Sequence, residues 1–268
     1  MLLSIHHTTH YRYSEPARRV TQALRLWPAP SAGQRVHKWQ VEVDGRRLQS
    51  TTTDGYGNPC ATHTADGPVS DVRIDVRGQV ETENRHGVLG EGIELLPPAF
   101  FRFETPLTRI NAAIHELAAQ ACGEDGDMAG LHRLCNIVRD RVDYVAKQTN
   151  AETTAIEALA QGVGVCQDHA HLLTAAARAI GYPARYVSGY LCAGMAGEEA
   201  ASHAWAEIHV ADLGWVGFDA ANRICPDERY VRIACGRDYR DAAPVRGIHQ
   251  GGVSETLEVS VHVRASQQ

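Results

Sequence analysis

The hydrophobic period of the chain changes once, near residue 100, and this change constrains the fold most. Before it, runs such as "HKWQVEVDG" and "DVRIDVRGQVET" are β-rich and are separated by turn signals, which is typical of antiparallel strands. After Pro106, runs such as "LTRINAAIHELAAQAC" carry apolar residues three and four positions apart, as core-facing helices do. Pro97 and Pro98 interrupt any regular element between the two parts. The sequence therefore predicts an α+β protein with an N-terminal β domain over residues 1–98 and a second domain over residues 99–268.

The N-terminal domain is expected to be a small antiparallel β sandwich or barrel, because its strands are short and its turns frequent. His6, His7 and His10 could suggest a metal cluster there. In a strand, however, His6 and His10 share one face while His7 points to the other, and no cysteine or carboxylate accompanies them at ligand spacing. We assign them no metal. The second domain is expected to hold helices packed on an antiparallel sheet that ends in "ETLEVSVHVRA".

Composition narrows the classes of partner and compartment. No apolar run approaches the length of a membrane span, and the start, "MLLSIHHTTHYRYSEP", indicates a strand rather than a signal peptide. The formal net charge of −6 argues against nucleic acid or an anionic membrane as the main partner. The cysteine count, seven, is odd and includes no CxxC pair, which favours reduced thiols in a cytoplasm. Nothing in the sequence indicates an oligomeric state.

The stretch "GVGVCQDHAHLL", residues 162–173, raises the question of what its cysteine does. An apolar stripe follows Cys166, and Gly181 with Pro183 ends the helix, so the cysteine lies in the first turn of a buried helix. Free N–H groups and the helix dipole at such a position stabilise a thiolate and can receive an oxyanion. Cys166 is therefore a candidate nucleophile. The alternative is that a tight helix start simply required a small residue.

A metal site at this helix is the weaker hypothesis. Cys166 and His169 could share a helix face, but His171 lies about 140° from Cys166 at about 100° per residue. No second pair of ligands follows at the spacing that a structural zinc site uses. We predict no metal here, and we expect His169 and His171 to pack or to support the site. His169 remains a rival as the catalytic base, because position i+3 is within reach of the cysteine.

A thiol nucleophile needs an imidazole and a group that orients it, and the two strands "HAWAEIHV" and "GWVGFDAAN" supply candidates. His203 and Asp219 are separated by 16 positions. An odd-numbered hairpin loop centred on Ala211 would place them directly opposite each other on one face. The sequence permits this hydrogen bond without requiring it, and a histidine at the surface end of a strand is the alternative.

The motifs "GVCQDHAHLLTAAARAIGYPARYVSGY", "SHAWAEIHV" and "GWVGFDAAN" resemble those of the transglutaminase-like, papain-type cysteine enzymes. The tail "ACGRDYRDAAPVRG" and the β-rich N-terminal part resemble the bacterial branch of that superfamily. The resemblance implies a papain-like transglutaminase-core domain with Cys166 as nucleophile, His203 as base and Asp219 as the group that orients His203. One departure is Ala220-Ala221, where the family commonly has Pro-Thr. No cofactor is expected, and no carboxylate-rich loop resembles the calcium sites of animal transglutaminases.

The predicted chemistry is cysteine-dependent acyl transfer at amide bonds of peptides or proteins, with hydrolysis favoured. Backbone N–H groups near Cys166 would hold the oxyanion, and Gln161 is a guess for the second donor. Three alternatives stay open: a glutamine-directed transglutaminase, an amidase acting on a small metabolite, and a non-catalytic binding module on the same fold.

Two features bear on hydrolysis against transamidation. Trp205 and Trp215 could wall a channel that excludes water, or they could simply cover the sheet. The loop over residues 193–202 is small and polar, which makes a poor seal, and its Glu198 and Glu199 would attract a cationic amine only weakly. These features favour hydrolysis.

Overall fold

The computed structural model describes residues 1–90, 95–123, 127–192, 201–251 and 254–265, and it confirms the α+β class. Its strands are β1 (Leu2–Leu24), β2 (Gln34–Val43), β3 (Arg46–Leu48), β4 (Thr52–Thr53), β5 (Pro59–Thr82), β6 (Val88–Gly90), β7 (Asp143–Tyr144), β8 (Val163–Gly164), β9 (Ala184–Leu191), β10 (Ala201–Val210), β11 (Gly214–Phe218), β12 (Tyr230–Gly236), β13 (Val245–Gln250) and β14 (Glu255–Ala265). Its α-helices are α1 (Ala112–Ala119), α2 (Asp127–Arg141), α3 (Ala155–Gln161), α4 (Cys166–Ala179) and α5 (Tyr239–Ala242), and short 3-10 helices cover Pro98–Arg102 and Pro106–Thr108. No helix within the described ranges is long and apolar enough to cross a membrane.

The first sheet has seven antiparallel strands built around the long strands β1 and β5. β1 pairs with β5, and β2 and β3 extend the sheet on the far side of β5. Register breaks between Arg12 and Arg19 interrupt the β1–β5 ladder, and such irregularities let a long strand bend. On its other edge β1 pairs with β14 through residues 3–13 and with β13 through residues 19–24.

The last strand of the chain therefore corrects one expectation. The segment "ETLEVSVHVRA" forms β14 in the first sheet, so the prediction that it ends the sheet of the second domain is wrong. The reason is geometric: β13 already lies along β1, and the short connection to β14 lets the chain continue along the same edge. The division at residues 1–98 and 99–268 remains a prediction. Three strands cross that boundary: β6, before residue 98, pairs in the second sheet, and β13 and β14, after residue 99, pair in the first sheet.

The second sheet has the order β12-β9-β10-β11-β6 and carries the helices on one face. Helix α4 packs against β9 and β10, and α1, α2 and α3 pack around α4. The predicted apolar stripe of α4 is buried in this core together with the predicted apolar face of β10: Leu172, Leu173, Ala176, Ala177, Ala206, Ile208 and Val210. Helix α4 therefore has a fixed position over the sheet, which places its first residue.

A further cluster of buried side chains joins the two sheets. Strands β1, β5 and β14 of the first sheet contribute Leu3, Ile5, Val80, Val261 and Val263, and the second sheet contributes Tyr186, Tyr190, Val231, Ile233 and Ala234. Through these buried apolar side chains, the first sheet packs directly against the strands that carry the site described next.

Candidate active site

Cys166 is the first residue of α4, as the sequence predicts. Asp168 stabilises the turn that precedes Cys166. The Oδ2 atom of Asp168 accepts hydrogen bonds from the Val165 backbone N–H at 2.8 Å and from the Thr149 hydroxyl at 2.6 Å. A Cβ atom at Gly164 would lie 2.7 Å from the Cβ of Asp168, so the turn requires glycine there. The thiol consequently lies at a helix N-terminus, where the first N–H groups have no partner within the helix.

His203 on β10 and Asp219 directly after β11 contact each other. The Nε2 atom of His203 lies 2.7 Å from Oδ2 of Asp219, and both side chains are buried. The hydrogen bond that the sequence permits is thus present. Because Nε2 faces the carboxylate, Nδ1 is the ring nitrogen that remains for the thiol of Cys166.

The register that produces this contact differs from the predicted one. The β10–β11 pairing is centred on Asp212 and not on Ala211, and Asp212 adopts a left-handed conformation with φ 64° in the loop. Continued by one step, this register places Trp205 opposite Asp219, with His203 one diagonal step away. The directly opposite arrangement that a loop centred on Ala211 would give is therefore not the one present. Their even separation still puts them on one face, where a diagonal pair remains within reach.

Tyr230 and Asn222 complete the surroundings of Asp219, and the sequence analysis missed both. The Tyr230 hydroxyl and the Asn222 side-chain amide each donate to Oδ2 of Asp219 at 2.7 Å. Burial opposes the carboxylate, but these donors and the His203 imidazole together hold the pKa of Asp219 below its usual value. Asn222 was visible in the motif "GWVGFDAAN", whereas Tyr230 reaches the site only through the pairing of β12 with β9.

The charge of His203 follows from the same contacts. Burial disfavours the imidazolium, yet hydrogen bonds to Asp219 and to the thiol of Cys166 outweigh it and raise the pKa of His203 to about 10. At neutral pH the ring is therefore positively charged between a carboxylate and the cysteine.

Tyr144 is a second residue that the sequence analysis missed. Strand β7 pairs in parallel with β8, which aligns Tyr144 with Gly164, two residues before Cys166. Burial, together with the neighbouring Cys166, raises the pKa of Tyr144 to about 12, and both residues line the cleft described below. The hydroxyl thus stays protonated at neutral pH and can donate a hydrogen bond beside the thiol.

His169 and His171 have structural contacts. The two ring nitrogens of His169 lie 2.8 Å from the backbone carbonyl oxygens of Val165 and Val142, so neither is directed at the thiol and the rival base is not supported. The Nε2 atom of His171 accepts from the Tyr239 backbone N–H at 3.0 Å. Burial lowers the pKa of His171 to about 3, which keeps the ring neutral. The expectation of packing and supporting roles agrees with these contacts.

Of the three other residues considered for the site, one borders it: the Trp205 ring stacks on that of His203, with ring centroids 6.4 Å apart. Gln161 is exposed at the end of α3. Trp215 is buried beneath the guanidinium of Arg185, which lies 3.9 Å from the ring centroid. Trp205 is buried against Tyr230, with ring centroids 5.4 Å apart. None of the three lines the cleft described next, which is consistent with the two tryptophans covering the sheet.

Cys166 and His203 open into a cleft of about 350 Å³ at the junction of the two sheets. The first sheet supplies part of its lining: His7, Thr9, Tyr11, Val245, Leu257 and Val259. Residues 193–200, which include Glu198 and Glu199, lie outside the described residues. Among the residues that the structure does describe, no three His, Cys, Asp or Glu side chains are grouped so that they could hold a metal ion.

A helix-start cysteine, a strand histidine and a buried carboxylate, on helices packed over an antiparallel sheet, define the papain-like class of fold. Within that class, residues 116–220 match the profile of the transglutaminase-like superfamily, and residues 3–81 match that of the bacterial transglutaminase-like N-terminal region. The chain belongs to the transglutaminase-like superfamily. The two family matches together cover most of β1 to β5 and the part of the chain from the end of α1 to β11, whereas β6, β12, β13, β14 and α5 lie outside them.

The relatives include proteins of similar length. An uncharacterized protein of Mycobacterium leprae is 28% identical over 276 residues, covering 96% of each chain. An uncharacterized protein of Mycobacterium tuberculosis is 30% identical over 285 residues, covering 96% of this chain and 90% of its own. A Cytophaga hutchinsonii protein described as a proposed cysteine protease has a crystal structure that matches with a TM-score of 0.78 and 22% identity, over 100% of this chain and 92% of that one. This likeness shows that the fold is shared over the full chain.

Proposed function

We propose that this chain hydrolyses amide bonds of peptides or proteins, with Cys166 as nucleophile, His203 as general base and acid, and Asp219 as the group that orients His203. The observation that carries the proposal is the buried His203 ring, held by the Asp219 carboxylate at 2.7 Å and lining one cleft with Cys166. A buried, oriented imidazole beside a helix-start thiol is the arrangement that activates a cysteine nucleophile.

The reaction would proceed through a thioester. With the pKa of His203 raised to about 10, its imidazolium stabilises a thiolate of Cys166, which attacks the amide carbonyl carbon. As the C–N bond breaks, His203 gives its proton to the leaving amine. The neutral imidazole then takes a proton from water, the resulting hydroxide attacks the thioester, and the acid is released with the thiolate restored.

The developing oxyanion requires two donors. The backbone N–H of Cys166 at the start of α4 would supply one, as helix N-termini do. The hydroxyl of Tyr144, which lines the same cleft beside Cys166, would supply the other. This assignment replaces Gln161, whose side chain is exposed outside the cleft.

Hydrolysis is favoured over transamidation because of access by water. Retaining a thioester for an amine requires a walled site that excludes water. Trp205 and Trp215, the two tryptophans considered for such a wall, are buried against the sheet and do not line the cleft, and Leu257 and Val259, which do line it, are 53% and 50% exposed, so water reaches the described part of the cleft. We also propose a cytoplasmic location and a peptide or protein substrate rather than nucleic acid or membrane, supported by seven free thiols and the net charge of −6.

The proposal is tested with a peptide library incubated in H₂¹⁸O with an excess of a primary amine and analysed by mass spectrometry. We expect cleaved or deamidated peptides carrying ¹⁸O to dominate, and none to form with the Cys166→Ala chain. Amine adducts on glutamine as the main product would establish the transglutaminase alternative instead. If no peptide reacts but small amides do, the substrate class is wrong, and if nothing reacts, the fold serves binding.

Replacing Tyr144 with phenylalanine should lower kcat by roughly 10²–10³-fold, the usual effect of removing one oxyanion donor. KM should change little, because the hydroxyl acts mainly on the charge that develops in the transition state. Steady-state kinetics on one responsive peptide measure both constants. Tyr182→Phe is the matched control, since its hydroxyl bonds Asp127 at 2.6 Å on the surface. An unchanged kcat for Tyr144→Phe would exclude the second donor.

A further inference from the structure

The last strand carries an apolar stripe that is only half covered. Leu257, Val259, Val261 and Val263 alternate along β14 and therefore share one face. Val261 and Val263 are buried in the cluster that joins the two sheets, whereas Leu257 and Val259 are 53% and 50% exposed. The stripe thus continues a buried interface into open space.

That open space is the cleft that contains Cys166 and His203, since Leu257 and Val259 both line it. Further apolar and aromatic residues line it as well, among them Tyr11, Tyr190, Ile233, Tyr239, Pro244 and Val245. The described lining residues include no Asp, Glu, Lys or Arg. Apart from the Cys166–His203 pair, the described walls carry no formal charge, which favours an uncharged, apolar occupant, because a charged one would lose hydration without gaining a partner.

The wall that carries the stripe is tied to the sheet that carries His203. On the first sheet, the Nδ1 atom of His7 lies 2.8 Å from the hydroxyl of Tyr190 on β9, and Nε2 lies 2.9 Å from the Thr9 hydroxyl. Burial lowers the pKa of His7 to about 4, so the ring is neutral and introduces no charge into the cleft. These bonds fix the first sheet beside the site, so that it can act as a wall for substrate.

We infer that Leu257 and Val259 form a specificity subsite for a large aliphatic or aromatic side chain on a peptide residue next to the attacked amide. The inference rests on the proposed function and specifies its substrate class. The second sheet already covers Val261 and Val263, and a bound side chain of this kind would cover the exposed half of the stripe, Leu257 and Val259. The N-terminal sheet, to which the sequence analysis assigned no role, would thereby select the substrate.

Peptides that differ only in one residue beside the attacked amide test the subsite. The wild-type chain should show a kcat/KM about tenfold higher for leucine than for serine at that residue, the usual discrimination of a modest apolar contact. The double variant Leu257→Ala, Val259→Ala should bring this ratio close to one. Ile248→Ala should leave it unchanged, because Ile248 is a 75% exposed residue on neighbouring β13 that does not line the cleft. A double variant that keeps the wild-type ratio would overturn the inference.

A charge variant and a binding assay separate this inference from the proposed function. Val259→Lys should shift the preference from leucine towards glutamate peptides, since opposite charges attract across the subsite.

Fluorescence anisotropy with the Cys166→Ala chain measures peptide binding without chemistry. Tighter binding of the leucine peptide, with no turnover by wild type, would support the subsite while the proposed function fails. Turnover by the wild-type chain without any preference for leucine would support the proposed function and overturn the subsite. A dimer in light scattering that dissociates in the double variant would identify the stripe as a contact between copies and overturn the inference.

Discussion

Replacing Cys166 with alanine should abolish turnover, lowering kcat by on the order of 10⁶-fold, as loss of the nucleophile does in hydrolases that form a covalent intermediate. On the proposed mechanism the remaining residues cannot compensate, because His203 and Asp219 would only move and orient a proton. Measurement on a peptide that the wild-type chain hydrolyses gives the ratio directly. Cys122→Ala is the control: Cys122 is exposed and does not line the cleft, so its loss should leave kcat unchanged.

The same assignment predicts which thiol reacts first. All seven cysteines are free, so each is a candidate for alkylation. Burial raises the pKa of Cys135 to about 12 and that of Cys225 to about 11, which suppresses their thiolates. Cys166 is the thiol that lies at a helix N-terminus and lines a cleft with His203, so on the proposed assignment limited iodoacetamide at about pH 6, near the ordinary histidine pKa, should label Cys166 first. Faster labelling of any other cysteine in peptide maps would contradict its role as nucleophile.

The local parts of the site could be predicted from the sequence. The glycines, the apolar stripe and the stop at Gly181 lie within one segment, so they define α4 and put Cys166 at its start. Parity could also place His203 and Asp219 on one face, because a strand has a period of two whatever the register. The register itself could not be predicted, since it depends on the left-handed residue Asp212 in the hairpin loop.

The non-local parts of the site could not be predicted. Tyr144 reaches the cysteine because β7 pairs with β8, two strands of two residues each that carry no periodic signal. Tyr230 arrives through a strand order in which β12 lies beside β9. The alternation of β14 correctly indicates a strand, but alternation says nothing about which sheet the strand joins. The role of the first sheet in the cleft therefore depended on pairing between residues more than 240 positions apart.

Removing the imidazole with His203→Ala should lower kcat by roughly 10²–10⁴-fold, because positioned proton transfer contributes that much. Asp219→Asn should reduce kcat less, since an amide can still contact the ring. His209→Ala is the matched control: His209 lies on the same strand and face, packs on Trp215 with ring centroids 5.3 Å apart, and does not line the cleft. Normal turnover by His203→Ala would exclude it as the base.

The pH profile tests the role of Asp219 separately from its role in the fold. The pKa of His203 is about 10 in the folded chain against 6.5 ordinarily, so the imidazolium stabilises the fold fully below pH 6.5, and this contribution is lost as the pH rises through about 10. On the proposed mechanism the leaving amine takes the proton of that imidazolium, so the activity of the wild-type chain should persist on the alkaline side until the pH approaches about 10. Asp219→Asn removes the carboxylate charge that raises the pKa of His203, and the alkaline limb of the pH–activity profile should therefore move down towards 6.5.

A Tyr230→Phe chain is the control: it loses a neutral donor to Asp219 but keeps the carboxylate charge, so its alkaline limb should stay near that of wild type. If the alkaline limb of Asp219→Asn coincides with that of wild type, Asp219 does not set the charge of His203, and a purely structural role for the carboxylate would explain its position.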